Sequence, residues 1–388
     1  MVSSLLSGIT VLDLASVGPA ARTSRWLADF GARVIKVGPP PRQSGVQIVP
    51  PFHAYGGHRG MERVQLDLKA PAGREAFLKL ATLADVVIES FRPGVVDRLG
   101  IGFDDVRPVN AGIVYCSTSG YGQTGPKSQW AGHDINYLAV GGYLDCSGRD
   151  ERGGPALPGA TVADSAAGGM HAVMSILAAV VHRNATGEAQ HLDVAVADGV
   201  LALMSLHIDE YLATGTVPGP AHNILTGRFA CYGVYRCADD RWVAVGAIEP
   251  HFYANLCNAL GCEQWLPSQL DDGVQDQIRA DFAAAFASRT MADWVDVLAP
   301  GDTCVSPVAT VPELVEDVQY RARDAIVTAH RPDHPAFEQV GFVLAGMDHD
   351  QSAPIVRDGT VTDTGALLAE AGYDAEAIAF LRAEGAVA

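Results

Sequence analysis

The stretch Gln129-Trp-Ala-Gly-His-Asp-Ile-Asn-Tyr-Leu138 sets a histidine at the expected start of a helix, where an imidazole can do proton chemistry. From Ile135 onward Leu138, Val140 and Leu144 fit a helix better than a strand, and Gly132 gives the backbone freedom to turn ahead of them. The positive end of the helix dipole favours the neutral imidazole, so His133 can take a proton near neutral pH. That makes His133 a candidate base. The simpler reading is that His133 and Asp134 only cap the helix. Two carboxylates share this double character. Asp164 stands just before an apolar helical run, where an aspartate commonly serves as N-cap, and Glu249 ends a strand, where a carboxylate is ordinarily exposed.

Elements must hold these groups, and composition bounds what the elements can be. A chain of 388 residues that is 48% hydrophobic can bury a large core in two domains, or in one domain with an insertion. The formal charge of −18 argues against nucleic acid, which needs a basic face. An anionic ligand would need a local exception, and Lys36, Arg42, Arg59, Arg63, Lys69, Arg92 and Arg98 in the first hundred residues could supply one. The seven cysteines are scattered without C-x-x-C spacing, which suits reduced thiols better than disulfides or zinc, and Cys257 and Cys262 are expected to face a helix interior. No window approaches the ~20 apolar residues of a membrane span, and the first residues lack a signal peptide's pattern, so a cytoplasmic protein is expected.

Apolar runs alternate with helical patterns through the first half. Ile9–Ala15, a helix over Ala21–Phe30 and Arg33–Val37 form a β-α-β unit, whose strands should be parallel with a right-handed crossover. Gly18-Pro-Ala-Ala-Arg lacks the G-x-G-x-x-G spacing of a dinucleotide site. Residues 38–60, rich in proline and glycine, are expected to be irregular. The rhythm resumes with Val64–Leu68, a helix over Pro71–Leu83, Asp85–Glu89, a short helix near Val95, and Ile113–Ser117. Gly120–Pro126 then delivers the chain to His133, and loops at the carboxyl ends of parallel strands are where such sheets bind ligands. After a connection over Gly148–Pro158, an apolar helix beyond Asp164 should bury Met170, Val173, Met174, Leu177 and Val181, and another should run from Val194 to Leu212. Past a hinge at Pro218-Gly-Pro220 a smaller α+β domain begins with a hairpin of Phe229–Tyr235 and Trp242–Gly246. Helices follow at His251–Leu260, Gln275–Ser288 and Met291–Leu298, then a strand at Gln339–Leu344 and helices at Thr364–Ala371 and Ala375–Ala383.

Taken together, Leu6–Leu14, Ala84-Asp-Val-Val-Ile-Glu-Ser-Phe-Arg-Pro-Gly94, Asp97-Arg-Leu-Gly100, Gly120-Tyr-Gly-Gln-Thr-Gly-Pro126, Gly132-His-Asp-Ile-Asn-Tyr137 and Val243–Pro250 resemble the family III CoA-transferase superfamily (CaiB/BaiF type). His-Asp-Ile-Asn-Tyr and Ala-Ile-Glu-Pro resemble its α-methylacyl-CoA racemase branch. The resemblance implies an α/β fold, with a Rossmann-like parallel-sheet large domain over 1–215, completed by about 335–388, and a small α+β domain over 216–334. It further implies an interlocked homodimer binding an acyl-CoA thioester between one subunit's large domain and the other's small domain, with no metal or redox cofactor. His133 and Asp164 would be the proton-transfer pair, supported by Glu249. CoA contacts would fall on Leu66, Asp67, Leu68 and Lys69, on Ser90, Phe91, Arg92 and Arg98, and on Gly132, Asp134, Ile135, Asn136 and Tyr137.

The residue types suit that chemistry. Inverting a carbon beside a thioester needs one group to remove a proton and another, in the opposite protonation state, to return one across the carbon. Backbone N–H groups at helix starts can stabilise the enolate between them. The chain departs from the racemase pattern at Ala160-Thr-Val-Ala-Asp164, where the branch has Asn-Leu-Val-Gly-Asp, and at the basic positions near Gly38-Pro39 and Gly60–Arg63. Asp164-Ser-Ala-Ala-Gly-Gly-Met-His171 also resembles the transferase branch, whose aspartate is a nucleophile. The alternatives are therefore a CoA-transferase acting through Asp164 and a non-catalytic acyl-CoA binder.

Overall fold

In the computed structural model, which describes residues 4–15, 18–41, 59–332, 334–347, 355–357 and 361–388, short apolar segments of the first half line up as a six-stranded sheet. The strands are β1 (Thr10–Asp13), β2 (Arg33–Gly38), β3 (Glu62–Gln65), β4 (Val86–Glu89), β5 (Val114–Ser119) and β6 (Gln190–Ala195). All pairs are parallel, in the order β3-β2-β1-β4-β5-β6. This is the expected α/β, Rossmann-like arrangement. Strand order reverses at β1, which opens a crevice at the carboxyl ends.

Such strands are buried on both faces, so successive residues serve opposite cores. Leu12, Ile35, Val64, Val87 and Tyr115 pack on one side with Phe77, Leu367, Leu368, Ile378 and Leu381. Val11, Val34, Val86, Val114 and Cys116 pack on the other with Leu27, Ala172, Val173 and Ile176. The last residues close the first core, as the Asp67 N–H donates to the Ala386 carbonyl at 2.8 Å and Leu66 bridges Val387.

Several expectations need correction. β6 falls where the sequence suggested the approach to a helix, and the helices Val196–Leu203 and Ser205–Thr214 start only after it. The apolar helix is continuous over Ala163–Thr186, opening with a π-helical segment, Ala163–Met170. It is long and apolar enough by length and composition to cross a membrane, contrary to the expectation that no segment qualifies; one side of it packs on the sheet, as a core helix does. That side carries Ala172, Val173, Ile176, Ala179 and Val180, whereas Met170, Met174 and Val181 are exposed. Of the expected irregular stretch, residues 42–58, including Arg42, lie outside the described residues.

The chain divides into two compact units, Met1–Gly142 with Pro158–Leu206 and Val318–Ala388, and Tyr143–Leu157 with His207–Asp317. Both boundaries come earlier than the sequence suggested, and the expected connection groups with the second unit up to Leu157. In the first, β10 (Ile326–Arg331) pairs antiparallel with β11 (His334–Val340), which ends where the expected last strand began. In the second, β7 (Tyr232–Arg236) and β8 (Trp242–Gly246) form the expected hairpin, extended by a short strand β9 (Val305–Pro307). Its core joins Tyr253, Phe282, Phe286 and Trp294, and buries Cys257 and Cys262. All seven cysteines are free thiols.

Candidate active site

The loop after β5 is shaped by close approach. A Cβ at Gly120 would lie 2.4 Å from Tyr137 Cε1, and one at Gly132 would lie 2.7 Å from the same atom and 2.9 Å from the Tyr121 hydroxyl. Gly132 is thus required for space, since its φ is not positive, and the expected turning freedom is not what it supplies. The Tyr137 hydroxyl donates to the Gly132 carbonyl at 2.6 Å. The Asp193 carboxylate on β6 accepts the Gln123 N–H at 2.9 Å, tying the loop to the strand the sequence reading missed.

At the end of this loop His133 occupies the N-cap position of the helix Asp134–Val140, in extended conformation. The capping partner is Asn136, whose Oδ1 accepts the His133 N–H at 3.0 Å. The imidazole is exposed. Asp164 lies within the first π-helical turn and is not an N-cap. Its own N–H is capped from a distance, by Asp134 Oδ1 at 2.8 Å across 30 residues of chain. One carboxylate therefore joins the starts of two helices and draws His133 and Asp164 into one cluster.

Arg22, in the helix Gly18–Asp29 that follows β1, completes it, with Nη1 3.5 Å from Asp164 Oδ2 and Nη2 donating to Thr161 Oγ1 at 2.8 Å. Burial pushes the Asp164 carboxyl above its ordinary value; Arg22 pulls it down, Asp134 pushes it up, and His133 pulls it down. Sequence reasoning passed over Arg22. Its partners Thr161 and Asp164 lie far along the chain, so no local pattern marked it.

The other expected positions are dispersed in character. Glu249 belongs to the second unit, exposed at the N-cap position of Pro250–Leu260 without a capping bond from its side chain. Leu66 is turned into the core and its N–H donates to the Gly38 carbonyl at 2.8 Å. Leu68 packs partly on the same core, and Asp67 Oδ1 accepts the Lys69 N–H at 3.1 Å. Lys69, Ser90, Arg92, Arg98, Ile135 and Asn136 are exposed, Phe91 and Asp134 are half-buried, and the buried Tyr137 has its hydroxyl engaged. Two of the cations expected to await an anion are already paired: Arg59 with buried Asp29 under the Phe342 ring, and Lys36 with Asp13.

The sequence matches the model of CoA-transferase family III over residues 6–355. The chain belongs to this family. It is 35% identical over 330 residues to the alpha-methylacyl-CoA racemase of Homo sapiens, covering 84% of each chain. It is 30% identical to the acetyl-CoA:oxalate CoA-transferase of Acetobacter aceti, covering 82% of this chain and 85% of that one. Among solved structures, a hypothetical protein of Mycobacterium tuberculosis superposes with a TM-score of 0.78 at 25% identity, covering 94% of this chain and 99% of that one.

In this family III chain the Asp134-bridged cluster combines an open imidazole, a carboxylate balanced between burial and a guanidinium, and two helix starts. Those parts suit proton transfer or nucleophilic attack beside a thioester. No group of three or more His, Cys, Asp or Glu suited to a metal occurs among the described residues. A second carboxyl that the sequence did not flag is Glu89, at the end of β4. Burial pushes it up to about 7, against hydrogen bonds from Ser117 and from the Phe91 N–H at 2.7 Å, while Asp97 and Asp193 push it further up.

Proposed function

We propose that this chain is a racemase of the α-methylacyl-CoA type, inverting the α-carbon of a 2-methylacyl-CoA thioester by two-base proton transfer through an enolate. One partner removes the α-proton, and the other, already protonated, delivers a proton to the opposite face. His133 and Asp164 fill these roles and exchange them between directions. The observation that carries the reading is the 2.8 Å bond from the Asp164 N–H to Asp134 Oδ1, which makes neighbours of an imidazole and a carboxylate otherwise far apart in the chain. Glu249 is proposed to support His133 and CoA to be held at the positions named above, in a homodimer that needs no metal or redox cofactor.

The test is exchange in D2O. A 2-methylacyl-CoA should gain deuterium at the α-carbon, and His133→Ala should slow the uptake by about 100-fold or more, the lower range for losing one acid–base group. Absence of exchange over branched-chain, sterol-type and aryl-propionyl thioesters would sink the reading.

A second reading is favoured by the Arg22 pair, which supports Asp164 as a carboxylate. As a CoA-transferase, Asp164 attacks the thioester carbonyl and releases CoA thiolate, giving an acyl anhydride. The thiolate then attacks the aspartyl carbonyl and the donor acid leaves; an acceptor carboxylate attacks the aspartyl-CoA thioester, expelling CoA thiolate, which attacks the acceptor acyl carbon of the new anhydride and frees the Asp164 carboxylate. A CoA adduct trapped on Asp164 in the presence of an acceptor would favour this reading over the first.

A further inference from the structure

We propose that Arg22 is a positioning residue for Asp164: anchored on Thr161, its guanidinium fixes the place of the Asp164 carboxylate and draws it toward the ionised form without hydrogen-bonding it tightly. The inference rests on the reading above, in which Asp164 is the reacting carboxylate.

The geometry separates the two jobs of the guanidinium. Nη2 makes a direct hydrogen bond of 2.8 Å to Thr161 Oγ1, whereas Nη1 stands 3.5 Å from Asp164 Oδ2, beyond the usual range of an N–H···O bond. Charge acts at 3.5 Å almost as well as at 2.8 Å, but a lone pair is not consumed. A carboxylate clamped by two short bonds is a weak base; one held at this stand-off is drawn toward the charged form and is still able to take a proton.

The stand-off is built into the packing. The Gly18–Asp29 helix lies so close to the π-helical segment that a Cβ at Gly168 would meet Pro19 at 2.6 Å, and one at Gly169 would meet Trp26 at 2.8 Å and Arg22 Cβ at 3.2 Å. Thr23 Oγ1 reaches the Gly169 carbonyl at 3.3 Å. Arg22 and Asp164 are each only 16% exposed, so solvent screens their interaction weakly. The residue before Thr161 is Ala160, which brings no polar group, and Arg22 reaches in from another helix.

The charged groups around Asp164 are Arg22 from that helix and His133 and Asp134 from the Asp134–Val140 segment, with the Tyr137 phenol beside them. Burial and Asp134 both oppose ionisation, and Arg22 is the largest influence in its favour.

The test is a titration of Asp164 itself, read as the carboxylate stretch in infrared difference spectra against Asp164→Asn, together with the pH profile of α-deuterium exchange. In Arg22→Met the Asp164 titration should move up by about one unit or more, the lower part of the range for an adjacent opposite charge. The acidic limb of exchange should move with it, and Arg22→Lys should restore most of both. Should Arg22→Met not fold, Arg22→Gln, which can keep a bond to Thr161 but has no charge, takes its place. A folded variant whose Asp164 titrates as in the unaltered protein overturns the inference, even if its melting temperature falls. A shifted titration in a protein that exchanges no α-proton supports Arg22's role and overturns the racemase reading alone.

Discussion

At the scale of single residues, Glu89 ties stability to pH. Its folded value of about 7 lies above the ordinary 4.5, because burial disfavours the charge. The folded state therefore holds a proton that the unfolded chain gives up earlier. The stabilising effect is full below about 4.5 and is lost as pH rises through about 7, with a magnitude on the order of 3 kcal/mol. Urea unfolding at about pH 5 and pH 8 should show the unaltered protein losing stability relative to Glu89→Gln; parallel pH dependences would refute this. Neither Glu89 nor Arg22 could be read from the sequence. Arg22's partners Thr161 and Asp164 lie far along the chain, and Glu89 looked like an ordinary strand end. The placement of His133 was legible, since a glycine, a polar pair and an apolar period are local marks of a helix start. Asp164 was misread as a cap because its actual capping partner comes from another helix.

At the scale of elements, glycines decide how near the helices come. A Cβ at Gly199 would lie 2.0 Å from the Ala167 carbonyl oxygen, and backbone cannot step aside as a side chain can. Gly199→Ala should push the Val196–Leu203 helix off the π-helical segment that carries Asp164, costing about 1–3 kcal/mol and lowering exchange. Gly148→Ala, with open space around its Cβ, should leave both unchanged. Thermal melts and exchange rates of the two variants check this; equal behaviour would count against it. Period and propensity revealed strands β1, β2, β4 and β5 as compact apolar runs between turns, but placed the third at Val64–Leu68 where the structure has Glu62–Gln65, whose single apolar residue makes no such run. They missed β6 because Leu192-Asp-Val-Ala-Val runs into a helix with no breaker, and β9 because three residues carry no period. On the Ala163–Thr186 helix the pattern caught Val173 and the partly buried Leu177 but misplaced Met170, Met174 and Val181, since that helix is apolar nearly all round and only the sheet decides which stripe is buried.

At the scale of the whole molecule, that same helix bears on assembly. Met170, Met174 and Val181 follow a helical period on the side away from the sheet, with Met174 63% and Val181 70% exposed. Leu201 and Leu203 on the Val196–Leu203 helix are about half exposed as well. Covering such side chains is worth ~1.5–3 kcal/mol each when burial is complete, and a second copy of the chain is the proposed cover. A formal charge of −18 works against self-association, so the apolar contact must outweigh a repulsion that salt would weaken. Met174→Asp combined with Val181→Asp adds charge to the face and should yield a folded monomer by light scattering. The unaltered protein should remain a dimer, more firmly at higher salt. With the substrate proposed to bind between subunits, the monomer should also lose exchange activity, while Asp164→Asn should lose activity and stay dimeric. An active monomer would separate chemistry from assembly and reject this proposal.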